Sequence, residues 1–206
     1  MKALLSAYRK NDTLRRFANE LTGLGWELAA SSGTKDQLDK WRIPATDVAE
    51  MVGPPILGHR VVTLSREVHA AILADLTETD QREELAQLGI EPFGLVYVDL
   101  YPLEEEMQSP TRTAQSVLNK IDIGGPALLR SAAKGRRYCV CNPAQCDEVL
   151  SFLKAPPNLR TGDGAIAYSR FLAKLAAEAE RRVSDYSAVA AEYYEMVAAG
   201  TFRDRS

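Results

Sequence analysis

FGLVYVDLY, residues 93–101, is rich in β-branched and aromatic side chains and is bounded by Pro92 and Pro102. A run of that composition and length reads as a buried strand, and its strength places it centrally in a sheet. Outward from it, short apolar runs alternate with amphipathic segments of helical length. Strands are expected at 3–7, 26–31, 46–49 and around Tyr138, and helices at 13–24, 34–41, 67–75, 81–88, 113–120, 126–134 and 144–154. That alternation is the pattern of parallel strands joined by helical crossovers, so the fold class is α/β. Asp12 stands where the first helix needs an N-cap, and Gly25 where it needs a stop. Beyond the linker Ala155-Pro156-Pro157-Asn158, residues 164–197 carry Tyr168, Phe171, Leu175, Tyr186 and Tyr193 in an Ala-rich pattern that reads as one or two packed helices.

The 206 residues, 46% hydrophobic and 26% charged, have ordinary globular composition and fit one large domain or a domain with a tail. A net charge of −3, from 25 basic and 28 acidic side chains mixed along the chain, offers no field for a polyanion, so nucleic acid is not an expected partner. No apolar run approaches the roughly 20 residues that span a bilayer, and the N-terminal stretch Met1 to Ser6 reads as too short for a secretory signal. The expectation is a cytoplasmic protein without a membrane partner. Cys139, Cys141 and Cys146 form a C-x-C-x4-C spacing with no nearby His or fourth Cys to complete a tetrahedral site, so a buried strand is a better account of them than a metal.

In open α/β sheets ligands settle at the carboxyl ends of strands, where loops lead into helix N-termini whose free N–H groups attract anions. Lys10 follows the first strand, and Ser31, Ser32, Gly33 and Thr34 follow the second. A third turn, Asp122-Ile123-Gly124-Gly125-Pro126, puts a glycine pair before a proline suited to the first position of a helix. Each of these has an ordinary reading as turn chemistry. Tyr101 and Lys134, at a strand end and a helix end, are equally ordinary taken singly.

Together the clusters resemble a known family. Asn119-Lys120-Ile121-Asp122-Ile123-Gly124-Gly125, followed by Leu128-Leu129-Arg130-Ser131-Ala132-Ala133-Lys134, is similar to the IDIGG…LLRAAAKN block of IMP cyclohydrolases. Leu100-Tyr101-Pro102-Leu103 resembles their NLYPF, and Ser31 to Thr34 their SGGT. The resemblance covers about the first 150 residues, with 184–202 similar to the module's final helices. It implies a methylglyoxal-synthase-like three-layer sandwich with a mostly parallel central sheet, plus C-terminal helices. It divides the chain into a domain at 1–155 and a helical extension at 156–206 packed on it. The implied reaction closes the second ring of 5-formamidoimidazole-4-carboxamide ribotide to give IMP and water, with no metal or cofactor. The larger formyltransferase half of the bifunctional enzymes is not in this sequence, so only the cyclohydrolase step carries over. By position, Tyr101, Asp122 and Lys134 match residues associated with chemistry. Lys10, Ser31, Ser32, Gly33, Thr34, Arg60 and Thr63 match the phosphate site, and the amides around Ile123 and Gly124 match ring and oxyanion contacts. The implied partner is a small-molecule purine ribotide, with a homodimer as the assembly to test.

Departures accompany the matches. Where the family reads RVKTLHP, this chain has Arg60-Val61-Val62-Thr63-Leu64-Ser65-Arg66, so an active-site lysine is replaced by Val62. Arg66 is a candidate to restore the charge. The first SGGT glycine is Ser32, the Asn of NLYPF is Asp99, and the loop after the first strand carries an extra residue near Asn11. His69 reads as a structural histidine, and His59 and the Arg136-Arg137 pair as solvated surface. Two alternatives stay open: a paralogue acting on an altered purine-like ribotide in nucleoside natural-product biosynthesis, and a catalytically silent purine nucleotide binder.

Overall fold

The computed structural model describes residues 1–57 and 61–204. Five strands form one sheet: β1 (Lys2–Ala7), β2 (Glu27–Ala30), β3 (Thr46–Asp47), β4 (Phe93–Asp99) and β5 (Tyr138–Val140). Their order is β3-β2-β1-β4-β5 and every pairing is parallel. The fold is therefore α/β with a parallel central sheet, as the alternation of runs and the resemblance imply. One detail differs. The strand read as central, β4, is interior, but the middle position belongs to β1, which pairs with both β2 and β4.

The crossovers are α1 (Asp12–Gly23), α2 (Ser32–Lys40), α3 (Ala49–Val52), α4 (Arg66–Leu73), α5 (Thr79–Gln87), α6 (Leu103–Gln108), α7 (Ala114–Leu118) and α8 (Gly124–Lys134); α9 (Cys146–Lys154) and α10 (Gly162–Ala198) follow the last strand. Leu14, Phe17, Ala18 and Leu21 give α1 one buried stripe at helical spacing. Its N-cap is Asn11, whose side chain accepts from the Leu14 amide at 3.1 Å; Asp12, the expected cap, is instead its first residue. The sheet extends to one side of β1 through α1 and to the other side of β4 through α8. Right-handed crossovers then place these two helices on opposite faces. α1 packs with α9, while α8 packs with α4 and on β4 and β5.

Residues 162–198 form a single helix of 37 residues, not two. Its buried residues Leu172, Leu175, Ala179, Val183 and Tyr186 trace one stripe that belongs to the same core as the sheet, and the helix runs across α8, α6 and β5. Two short helices, α3 and α6, were not expected from the sequence; α6 carries Glu104, Glu105 and Glu106 in its first turn, where acidic charge meets the positive end of the helix. Arg137, read as surface, is buried. Its guanidinium donates to the carbonyls of Ile72, at 2.7 Å, and Ala74, tying the end of α4 to the start of β5. Among the described residues no helix is long and apolar enough to cross a membrane.

Candidate functional site

Strand order reverses between β1 and β4, because the chain passes from β1 toward β2 and β3 and later returns to lay β4 on the other side. The loops leaving these two strands diverge, and a crevice opens at their carboxyl ends. Into this region run Tyr8 to Asn11 after β1, Ser31 before α2, Leu100 to Pro102 after β4, and the turn Lys120–Ile123 that leads into α8.

The loop after β1 is held to β4. Asp99 is buried and accepts from the Arg9 amide at 2.7 Å and the Arg9 guanidinium at 3.1 Å, while Arg9 also pairs with Glu105. Lys10 folds back, its ammonium donating to the carbonyls of Ala7 at 2.6 Å and Tyr8 at 3.0 Å. Partial desolvation in that position pulls its pKa below the ordinary lysine value, with Asp99 opposing.

At the start of α2 the four expected residues divide into two groups. Thr34 is fully buried, and its hydroxyl accepts from the Ala7 amide at 3.0 Å and from the Ser31 hydroxyl at 3.1 Å, so its side chain joins β1 to α2. The Ser32 hydroxyl donates to Asp47 at 3.0 Å. The amides of Ser32 and Gly33 lie in the first turn of α2, where no intrahelical acceptor exists.

The turn before α8 is tightly built. Both carboxylate oxygens of Asp122 accept backbone amides, from Gly124 and Gly125, each at 3.1 Å. Burial raises the pKa of Asp122 above the ordinary aspartate value, with those amides working in the opposite direction. The Gly124 amide expected to contact a reacting oxygen is thus turned into Asp122, and the Ile123 side chain is 63% exposed at the rim. A Cβ on Gly124 would stand 2.9 Å from the Thr63 hydroxyl, which places Thr63, itself largely buried, against this turn. Tyr101 is partly exposed; desolvation raises its phenol pKa, Asp122 adds to the rise and Lys120 opposes it.

Lys134 does not join this cluster within one chain. It is exposed at the last residue of α8, and ten residues at 1.5 Å each put it about 15 Å along the helix from the Asp122 end. Parallel topology requires the separation, since α8 returns the chain from the carboxyl ends of the strands to their amino ends. Arg60 and His59 lie outside the described residues. Val62 packs against the core, Ser65 caps α4 by accepting from Val68 at 3.1 Å, and Arg66 is exposed and paired with Glu67. His69 bonds Ser131 at 2.8 Å, with burial lowering its pKa, in keeping with a structural histidine. The three cysteines are buried free thiols, and among the described residues no His/Cys/Asp/Glu group is arranged to hold a metal.

A model of the MGS-like domain family matches residues 13–127. This chain belongs to the MGS-like domain family. The bifunctional purine biosynthesis protein PurH of Listeria welshimeri is 36% identical over 207 residues, covering 99% of this chain and 39% of that protein. PurH of Macrococcus caseolyticus is 40% identical over 156 residues, covering 74% and 32%. The MGS-like chain thus spans well under half the length of these curated relatives. A crystal structure of ForH superposes with a TM-score of 0.75 at 30% identity, over 94% of this chain and 98% of that one.

Three residues of this MGS-like domain's crevice were given no site role by the sequence reading. Tyr8 stacks edge-on against Tyr101 at 5.1 Å, and Lys120 donates to the Tyr8 hydroxyl at 2.7 Å. Tyr186 comes from α10: its hydroxyl donates to the Lys120 carbonyl and accepts from the Asp122 amide at 2.9 Å. At helical spacing an aromatic reads as packing, and only the tertiary fold shows that its hydroxyl braces the turn. A cavity of about 310 Å³ lies where α10 meets this loop, lined by Arg9, Tyr101, Leu103, Arg182, Asp185 and Tyr186. A wider, shallow depression follows the outer side of α1 and is a solvated groove, its Arg16 paired with Asp147. Tyr186→Phe keeps the ring but leaves the part-buried Asp122 amide and Lys120 carbonyl without that partner, so it is expected to lower unfolding free energy by about 1 kcal/mol in a denaturant titration. An unchanged midpoint with an unchanged slope would remove the bracing role.

Proposed function

We propose that this domain closes the second ring of a purine-type ribotide, as an IMP cyclohydrolase does with 5-formamidoimidazole-4-carboxamide ribotide. The observation that carries the reading is the convergence of Tyr101 and Asp122, from two separate loops, in the crevice between β1 and β4 with the open amides of Ser32 and Gly33 at the neighbouring strand end. The names of its PurH relatives support it.

In this reading the ribotide phosphate sits on the start of α2, with Lys10 and Thr63 flanking it, and the heterocycle extends toward Tyr101. The carboxamide nitrogen attacks the formyl carbon, forming the C–N bond while the carbonyl electrons move to oxygen. Asp122, made more basic by burial, takes a proton from the attacking nitrogen, and the Tyr101 phenol protonates the new alkoxide. The formamido nitrogen then gives its proton to the Tyr101 phenolate as the C–O bond breaks, the Asp122 carboxyl protonates the leaving hydroxyl, water leaves, and the ring gains its C=N bond. Both reacting groups belong to one molecule, so holding them in a near-attack geometry is a large share of the work.

The test combines calorimetric titration with IMP and an ultraviolet assay of ring closure. IMP binding in the micromolar-to-millimolar range is expected, with Tyr101→Phe lowering turnover more than tenfold. Absence of both binding and conversion at millimolar ligand overturns the reading, and parental turnover by Tyr101→Phe overturns the site. The apolar Val62, where a lysine is standard, favours a second reading in which the substrate carries an altered heterocycle. IMP binding without closure of the ordinary ribotide would move that reading ahead.

A further inference from the structure

Lys120 occupies the turn between α7 and α8, one bend before Asp122. Its ammonium donates to the Tyr8 hydroxyl, stands 4.5 Å from the Tyr8 ring centroid and 5.9 Å from that of Tyr101. Its carbonyl is held by Tyr186, the same hydroxyl that accepts from the Asp122 amide, so Lys120 and Asp122 are fixed by one brace. Of the other cations, Arg182 lies on α10 in the cavity that Tyr101 and Tyr186 line, and Arg9, Lys10, Arg66 and Lys134 are engaged or distant. Arg9 is neutralised by Asp99 and Glu105, Lys10 is turned onto two carbonyls, Arg66 faces Glu67 at the surface, and Lys134 is at the opposite end of α8. Among the described residues no carboxylate forms an ion pair with Lys120.

We infer that Lys120 supplies the positive charge of this crevice, meeting a negatively charged or developing oxyanion oxygen of the bound substrate beside Tyr101 and Asp122. The identity of that oxygen, the formyl or carboxamide oxygen of a closing ribotide, rests on the ring-closure reading; the placement of the charge does not. An ammonium has three donors, and one goes to Tyr8, so two remain for a ligand. Aromatic walls strip away part of its water while attracting the charge, and a partly dry cation acts more strongly on a nearby oxyanion than a solvated one. Tyr8 is then a positioning residue that aims Lys120, and the charge missing at position 62 enters the crevice from another loop.

The test uses the full chain with Lys120→Met and Lys120→Arg. The first readout needs no ligand: ultraviolet difference titration of the tyrosines, with Tyr101→Phe to assign the signal. The groups facing the Tyr101 phenol are Lys120 and Asp122 from the turn, Tyr8 from the β1 loop and Tyr186 from α10. Burial and Asp122 already raise it, so removal of the opposing Lys120 is expected to move its ionisation to still higher pH, and arginine to bring it back toward the parent. The second readout is ring closure at saturating ribotide, expected to fall at least tenfold in Lys120→Met and to recover in part in Lys120→Arg or on adding Val62→Lys to Lys120→Met. An unchanged Tyr101 titration in a folded Lys120→Met overturns the inference whether or not the parent turns over. So does an unchanged rate where the parent is active. A parent that neither binds IMP nor closes the ribotide defeats the ring-closure reading alone, and the titration still decides where the charge lies.

Discussion

Asp122→Asn is expected to abolish nearly all ring closure, at least a hundredfold, while changing stability by less than about 1 kcal/mol. The two effects separate because Asp122 does two jobs. As a cap it accepts the Gly124 and Gly125 amides, and asparagine keeps one acceptor while turning its NH2 toward the other amide. That loss destabilises the start of α8 by about 1 kcal/mol. As a buried carboxylate it carries the opposite contribution. Its folded pKa is raised by burial, so the folded state holds its proton more tightly than the unfolded chain does. The associated stability is full below the unfolded pKa of about 4 and declines as pH rises through the folded value, which leaves the ionised group unfavourable at neutral pH. Asparagine is neutral throughout and removes that dependence. Thermal melts of parent and variant across acid to neutral pH are the check: the parent should lose stability from this group with rising pH and the variant should not. A variant that keeps the parental rate would show that Asp122 is a cap and nothing more.

Gly125→Ala is expected to cost about 3 kcal/mol and to lower the melting temperature by roughly 10 °C. An added Cβ would lie 2.4 Å from Asp122 Oδ2, 2.6 Å from Leu100 Cδ2 and 3.2 Å from Val98 Cγ1. Val98 and Leu100 are themselves buried in the core, so neither yields easily. The atom that gives way is the Asp122 oxygen, and the displacement takes the carboxylate out of its cradle. Ring closure should therefore fall with stability, unlike the Asp122→Asn pattern. Gly33→Ala is the matched control for stability. Nothing stands within 4 Å of its Cβ, and alanine is the better helix former, so that variant should be as stable as the parent or up to about 1 kcal/mol more so. Equal melting temperatures for Gly125→Ala and the parent would mean that the turn adapts and that its close packing does not hold the carboxylate.

The sheet and most of its helices were legible because their signals are local. FGLVYVDLY is strand-forming by composition, and Leu14, Phe17, Ala18 and Leu21 repeat with the helical period, so both elements follow from the order of residues. The resemblance of the Asp122-to-Gly125 turn and of Tyr101-Pro102 pointed to the carboxyl end of the sheet, where the crevice opens, for the same reason: a rare run of residues stays recognisable even where its neighbours change. Position along a helix was not legible in that way. Lys134 belongs to the same matched block as Asp122, yet α8 carries it to the amino-terminal side of the sheet, because a crossover helix must bring the chain back to start the next parallel strand. Thr34, likewise matched, is turned inward by the meeting of α2 with β1.

The sequence by itself determined the α/β class, most of the crossover helices, the family and the loops that flank the crevice, all of which depend on residues near one another in the chain. Only the tertiary structure decided which charges meet there. Tyr8, Tyr101, Lys120 and Tyr186 are separated by up to 178 positions in sequence, Tyr8 to Tyr186, and are brought together by the return of β4 beside β1 and by α10 crossing the α8 turn. A bond of 2.7 Å between an ammonium and a phenol depends on those long-range packings, and no local propensity encodes it.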